Sequence, residues 1–316
     1  MTASRALRGA SDVSAETRRK VEEIAAQIGY VPNRIAGALA SNTVNLVGIV
    51  VPSISSTVFA EVLRGVSSRL AGSPLKPMIG VSGYNLIEEE EVIREMLSWR
   101  PSGLIVAGLE HSDAARTMMA EADCPIVEIM DVDGNPVSHN VGISHLQAGR
   151  EMAEAVLERG HRKIGFIGTK MPQDYRAEKR LRGFTDALGA HQIGLADREL
   201  YSGTSSIENG RVMTAKMMER TPDLDCIYYS SDMMTVGGFM HTLARGLVVP
   251  DDIALAGFND LELLHGLPLR LATTDAHRHE IGEAAAQIVL DDKLSKTPLP
   301  AKQIRLQPTL LPGQSI

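Results

Sequence analysis

Apolar runs alternate along this chain with amphipathic stretches, and the two periods are distinct. Residues 46–52, LVGIVVP, form a continuous apolar run rich in β-branched residues, the pattern of a strand covered on both faces. VFAEVLRGVSSRLAG at 58–72 then has helical spacing. The alternation continues. Strands are predicted at 77–83, 103–109, 125–131, 140–144, 163–169, 225–231, 252–260 and 270–276. Helices are predicted at 88–100, 145–160, 175–189, 208–220, 234–246 and 279–293. Strand-helix repetition of this length implies α/β lobes with parallel sheets and right-handed crossovers.

The first 45 residues differ. Val21, Ile24, Ala25 and Ile28 recur at helical spacing, with Ser14 as expected N-cap and Gly29 as expected C′ residue. Pro32 restarts the chain before the short amphipathic stretch Ile35, Ala36, Leu39. Residues 40–45 are polar and are expected to be a linker.

SRALRG, VSAETRRKV, IGYVPNRIA and LVGIVVPS, in that order and spacing, closely resemble the LacI family of transcriptional repressors over the length of the chain. VFAEVLRG, MLSWRPSGLIV, PIVEIMD and PGQSI look most like its gluconate-utilisation repressors. The resemblance implies two flavodoxin-like, periplasmic-binding-protein-like lobes behind a helix-turn-helix head and a hinge helix. The head and hinge are expected over 1–45 and the effector-binding and dimerisation domain over 46–316. The N-lobe is expected at about 46–143 and 275–296, and the C-lobe at about 144–274 and 297–316. Crossovers are placed near Ile143-Ser144, Thr273-Thr274 and Thr297-Pro298.

Met1 to Leu7 matches the interior of the family's recognition helix, so the head is expected to be partial here, with the true start roughly 15–20 residues upstream, one helix and a turn. Within what is present, the resemblance assigns DNA contacts to Thr2, Ser4 and Arg5 on the recognition helix and to Asn33, Arg34, Ala36 and Leu39 on the hinge. Leu39 matches the apolar wedge that enters the minor groove. Gly37 weakens a helix by ~1 kcal/mol relative to Ala, so the hinge is expected to fold only on DNA.

Charge changes the picture in the same direction. The chain carries 32 Lys and Arg against 39 Asp and Glu, a net −7. Residues 1–45 hold six bases and four acids, so the head is basic and the body acidic. Arg18, Arg19 and Arg34 suit phosphate. No apolar run approaches the ~20 residues that span a bilayer, and no signal peptide opens the chain. Cytoplasmic location and buried free thiols at Cys124 and Cys226 are therefore expected.

Ligands of open α/β sheets sit beyond the carboxyl ends of the strands. Ser53 and Ser55 with Val58 and Phe59, Tyr84, Ser231 and Asn259 follow four such ends. Phe59 is expected to pack rather than stack. Arg176 and Arg180 are four apart and share a helix face. The resemblance makes Arg180 a recurrent effector contact and adds Asp131 and Ser205. It also implies an acid where this chain has Asn259. A cation kept and an acid lost favour an anionic effector such as gluconate. Ser144-His145 replaces the family's usual Asp-Asn, which leaves a ligand role there open.

His277, His279 and Glu280 diverge on a helix and are not expected to bind metal. His161-Arg162-Lys163 is expected to be a surface turn. No nucleophile triad or dinucleotide loop stands out, and no cofactor is expected. The expectation is a homodimeric repressor on a pseudo-palindromic operator. Two rivals are a cytoplasmic sugar or sugar-acid binding module without DNA binding, because of the partial head, and an α/β enzyme acting on a sugar acid.

Overall fold

The computed structural model describes residues 2–7, 13–31, 44–55, 57–169, 173–295 and 297–316. Two short helices open it, α1 (Thr2–Leu7) and α2 (Ala15–Gln27), packed on each other. Ser14 caps α2 by accepting from the Thr17 N–H at 3.3 Å, and Gly29 closes it with a φ of 65°. Of the apolar face expected on α2 only Ala25 is buried, while Ile24 and Ile28 are exposed. The six-residue α1 is too short to cover that stripe.

The N-terminal lobe is built from β1 (Val44–Val51), α3 (Thr57–Leu70), β2 (Lys76–Val81), α4 (Leu86–Ser98), β3 (Pro101–Ala107), α5 (Asp113–Ala120), β4 (Ile126–Asp131) and β5 (His139–Ile143). The chain then crosses to α6 (His145–Glu158), β6 (Ile164–Thr169), α7 (Tyr175–Ala190), β7 (Asp197–Tyr201), α8 (Ile207–Arg220), β8 (Cys226–Tyr229), α9 (Asp232–Ala244) and β9 (Ala254–Ala256). It returns through β10 (Thr273–Asp275) to α10 (Arg278–Leu294), and ends with β11 (Gln303–Leu306) and β12 (Thr309–Leu311).

The N-lobe sheet runs β11-β5-β4-β3-β1-β2, all parallel. Its continuous apolar strands follow from double cover. Helices α3 and α10 bury Val47, Ile49 and Ile105 on one face, and α4 and α5 bury Val50, Leu104 and Val106 on the other. The C-lobe sheet runs β7-β6-β8-β9, also parallel, between α6/α7 and α8/α9.

Strand pairing corrects one expected boundary. Residues 297–316 do not all belong to the C-lobe, because β11 pairs in parallel with β5 and lies in the N-lobe sheet. The last crossing follows Leu306, not Thr297-Pro298, and β12 pairs antiparallel with β10 beside the middle crossing. The reason lies in length and pattern. QIRL and the edge strand DRELY (β7) are short, polar and half exposed, so neither gives the apolar run that marks a central strand. Helix α5 is eight residues long and also escaped the periodicity.

Cys226 is buried and Cys124 only partly so, both as free thiols. No helix among the described residues is long and apolar enough to cross a membrane.

Candidate ligand cleft

Carboxyl ends of strands from both lobes face one another across a cleft of about 180 Å³, against ~10–15 Å³ for one water. Ser53, Ser55, Val58, Phe59 and Tyr84 line it from the N-lobe. Arg176, Arg180, Ser205, Ser231 and Asn259 line it from the other side. Ten of the eleven expected effector residues therefore converge. Asp131 is the exception: it is fully buried, and its carboxylate is occupied by the Lys179 ammonium at 2.5 Å and the Asp133 N–H at 2.8 Å. The resemblance makes Asp131 a cleft residue, but it is not among the residues that line this cleft, and its carboxylate is paired with Lys179.

Arg180 sits at the back of the cleft. Helices α6 and α7 can touch there because Gly149 and Gly183 face each other's backbone. A Cβ on Gly149 would lie 2.0 Å from the Arg180 carbonyl oxygen, and one on Gly183 2.0 Å from that of Leu146. The side chain is 5% exposed and its guanidinium lies 3.9 Å over the Phe258 ring. One Nη donates to the Ser230 carbonyl at 3.0 Å, and the other donates to His145 Nδ1 at 3.1 Å. Its Nε–H has no partner, and among the described residues no carboxylate forms an ion pair with it. Burial lowers its pKa, opposed by the field of Asp174. This is a desolvated cation, within the field of Asp174 but in direct ion-pair contact with no carboxylate among the described residues, and it faces a cleft. Such a group is costly unless an anion arrives.

Arg176, one turn earlier, lies 5.7 Å from the Phe59 ring centroid, which joins the two lobes. Burial lowers its pKa, but Asp174, Tyr84, Asp131 and Glu110 together outweigh that and leave it raised. Asp174 caps α7 by accepting from the Ala177 N–H at 3.1 Å. Burial raises its own pKa, yet Arg176 and Arg180 prevail and hold it below the usual carboxylate range. Desolvation pushes the Tyr84 phenol up to about 12, so it stays a neutral hydroxyl. Phe59 is 1% exposed and belongs to the N-lobe core, so packing is its main role, with one face under Arg176.

The hydroxyls of Ser53 and Ser55 meet at 2.9 Å, and those of Ser205 and Ser231 are hydrogen-bonded. Asn259 is 94% buried and held at a φ of 117°, where its N–H donates to the Thr274 carbonyl at 3.0 Å. A non-glycine residue in that region is strained and marks a position the surroundings dictate.

Two residues that sequence reasoning left open or missed complete the back wall. His145, 1% exposed, contacts both Arg180 and the Met130 carbonyl, and Phe258 carries the guanidinium. Spacing could not have found them, because His145 opens α6 and Phe258 follows β9, more than 100 positions apart. Asp232, next to Ser231, is structural: its carboxylate accepts from the Leu261 N–H at 2.9 Å and the Thr273 hydroxyl at 2.8 Å, and burial raises its pKa to about 6. Among the described residues no group of three or more His, Cys, Asp or Glu is arranged to hold a metal ion.

On the DNA side, Thr2, Ser4 and Arg5 lie on α1, with Arg5 exposed. Asn33, Arg34, Ala36, Gly37 and Leu39 lie outside the described residues.

Two lobes of parallel sheet around a polar cleft, behind a small helical head, define a ligand-binding regulator. The family model described as periplasmic binding proteins and sugar binding domain of LacI family matches residues 45–300, and that of bacterial regulatory proteins, lacI family, matches residues 1–33. The chain belongs to the LacI family of transcriptional regulators, which are DNA-binding and not enzymes. It is 36% identical over 293 residues to the HTH-type transcriptional regulator GntR of Pseudomonas aeruginosa, covering 92% of this chain and 84% of that protein. A LacI family regulator from Silicibacter pomeroyi superposes with a TM-score of 0.96 at 53% identity, over 100% of this chain and 95% of that one. The transcription regulator GntR from Chromobacterium violaceum does so at 0.78 and 30%, over 85% and 98%. Operator binding, dimerisation and control by a small-molecule effector follow from the family.

Proposed function

We propose that this regulator is a cytoplasmic repressor of sugar-acid utilisation, whose effector is gluconate or a close relative. The observation that carries the reading is Arg180, a buried guanidinium with an unpartnered Nε–H and no ion-paired carboxylate among the described residues. A ligand carboxylate supplies both the charge and the acceptor. Neutral Asn259 and the serine pairs suit sugar hydroxyls without repelling that carboxylate.

The two heads of a dimer bind a pseudo-palindromic operator. Thr2, Ser4 and Arg5 approach it from α1, and Asn33, Arg34, Ala36 and Leu39 from the hinge. Effector binding draws the lobes together across the cleft and releases the operator. A switch from 1:99 to 99:1 needs ~5.5 kcal/mol of differential affinity between the two states.

Calorimetric titration with gluconate, with glucose and an Arg180→Ala variant as controls, tests this. Saturable gluconate binding that is absent for glucose and lost in the variant is the expected result. Equal binding of glucose, or undiminished gluconate binding by the variant, contradicts an acidic effector.

A further inference from the structure

We propose that His145 is the positioning residue of this cleft: its neutral ring, clamped between the Met130 carbonyl and Arg180, holds the guanidinium in the orientation that presents its remaining N–H groups to a ligand carboxylate. The proposal rests on Arg180 being the anion-binding group.

The partners dictate the state of the ring. A carbonyl only accepts, so Nε2, 3.0 Å from the Met130 oxygen, carries the hydrogen. A guanidinium only donates, so Nδ1, 3.1 Å from Arg180 Nη1, must be a bare lone pair. One neutral tautomer satisfies both contacts, and a protonated ring satisfies only one. Phe258 fixes the remaining freedom, its centroid 5.7 Å from the imidazole and 3.9 Å from the guanidinium. The charged groups around the ring agree. Arg176 and Arg180 reach it from α7, opposed by Asp174 at the start of that helix. Asp131, next to Met130 on β4, is paired with Lys179, and Asp260, beyond Phe258, with His265 at 3.0 Å. Burial first, then the two arginines, keep the imidazole pKa well below its ordinary value.

Without His145 the guanidinium keeps one hydrogen bond, to Ser230, and the face of Phe258. It could then swing, and a ligand would have to order it. A hydrogen bond to a charged group corresponds to roughly tenfold or more in affinity. The ring also spans the lobes, since Met130 belongs to β4 and Arg180 to α7. An anion that draws on Arg180 therefore pulls on the N-lobe sheet through His145.

Two substitutions separate the contacts. His145→Asn keeps an acceptor where Nδ1 stands, and His145→Gln keeps a donor where Nε2 stands. In gluconate titrations the Asn variant is expected within roughly threefold of the parent and the Gln variant at least roughly tenfold weaker. Thermal midpoints of the two ligand-free variants should be similar. Equal loss in both variants, or no loss in Gln, overturns the positioning role. If the parent protein does not bind gluconate, the sugar-acid reading fails, and nitrogen NMR of the histidine rings decides the present proposal. An Nε2–H ring at neutral pH, with an Nδ1 signal that moves on Arg180→Leu, supports it. An Nδ1–H or charged ring overturns it whatever gluconate does.

Discussion

Lys179 of the C-lobe reaches Asp131 of the N-lobe, nitrogen to carboxylate oxygen at 2.5 Å. Glu110 adds a second contact at 2.6 Å. Burial lowers the Lys179 pKa, but Asp131 and Glu110 outweigh that and raise it, so the ammonium keeps its charge. Asp131 is fully buried, whereas the Lys179 side chain is 12% exposed. Removing the lysine strands a carboxylate. Lys179→Met is expected to cost on the order of 3 kcal/mol in urea unfolding, and adding Asp131→Asn should recover part of it. Additive losses in the double variant would show that the two residues are not coupled.

A second buried ionic group lies in the N-lobe. His111 Nδ1 is 2.6 Å from Glu89, and Nε2 is 3.3 Å from Glu128. Burial lowers the His111 pKa, but the two adjacent glutamates outweigh that and raise it to about 9. The folded value exceeds the unfolded one, near 6.5. Its stabilisation is therefore complete below about pH 6.5 and fades as pH rises through about 9. Unfolding free energies of the parent and His111→Gln, measured from pH 6 to 10, are expected to differ most at the acidic end, on the order of 2–3 kcal/mol, and to converge at the alkaline end. A gap that widens with pH would reverse this sign.

Contact between α6 and α7 depends on Gly149 and Gly183. Ala at either position places a methyl 2.0 Å from a backbone oxygen, which cannot give way as a side-chain end could. Gly183→Ala is expected to lose roughly 1–3 kcal/mol and to weaken gluconate binding, because the helix that carries Arg180 must shift from His145. Unchanged affinity in a destabilised but folded variant would uncouple the helix contact from the site.

Asn259 faces the same cleft as Arg180 without a charge. Asn259→Asp introduces a carboxylate that competes for the arginine and repels an acidic ligand. Gluconate affinity is expected to fall by roughly tenfold or more. Gluconate binding as tight as the parent's would argue that the effector carboxylate lies elsewhere.

Periodicity and punctuation carried most of the architecture. LVGIVVP, PIVEIMD and KIGFIGT are apolar along their length because helices cover both faces of the sheet, and that constraint is visible residue by residue. The i, i+4 pair Arg176 and Arg180 and the polar strand ends were legible for the same local reason. What was not legible depends on pairing between distant segments. QIRL joins the N-lobe sheet only because β5 offers it an edge. Asp131 is paired with Lys179, 48 positions later. The back wall of Met130, His145, Arg180 and Phe258 gathers four chain segments, and no spacing rule links them. Local sequence thus determined the elements, their alternation and the charged helix face. The tertiary structure alone decided which buried charges are paired, and that Arg180 faces the cleft without an ion-paired acid among the described residues. Pairing at a few ångströms depends on where the backbone brings two side chains, and that is a property of the packed fold.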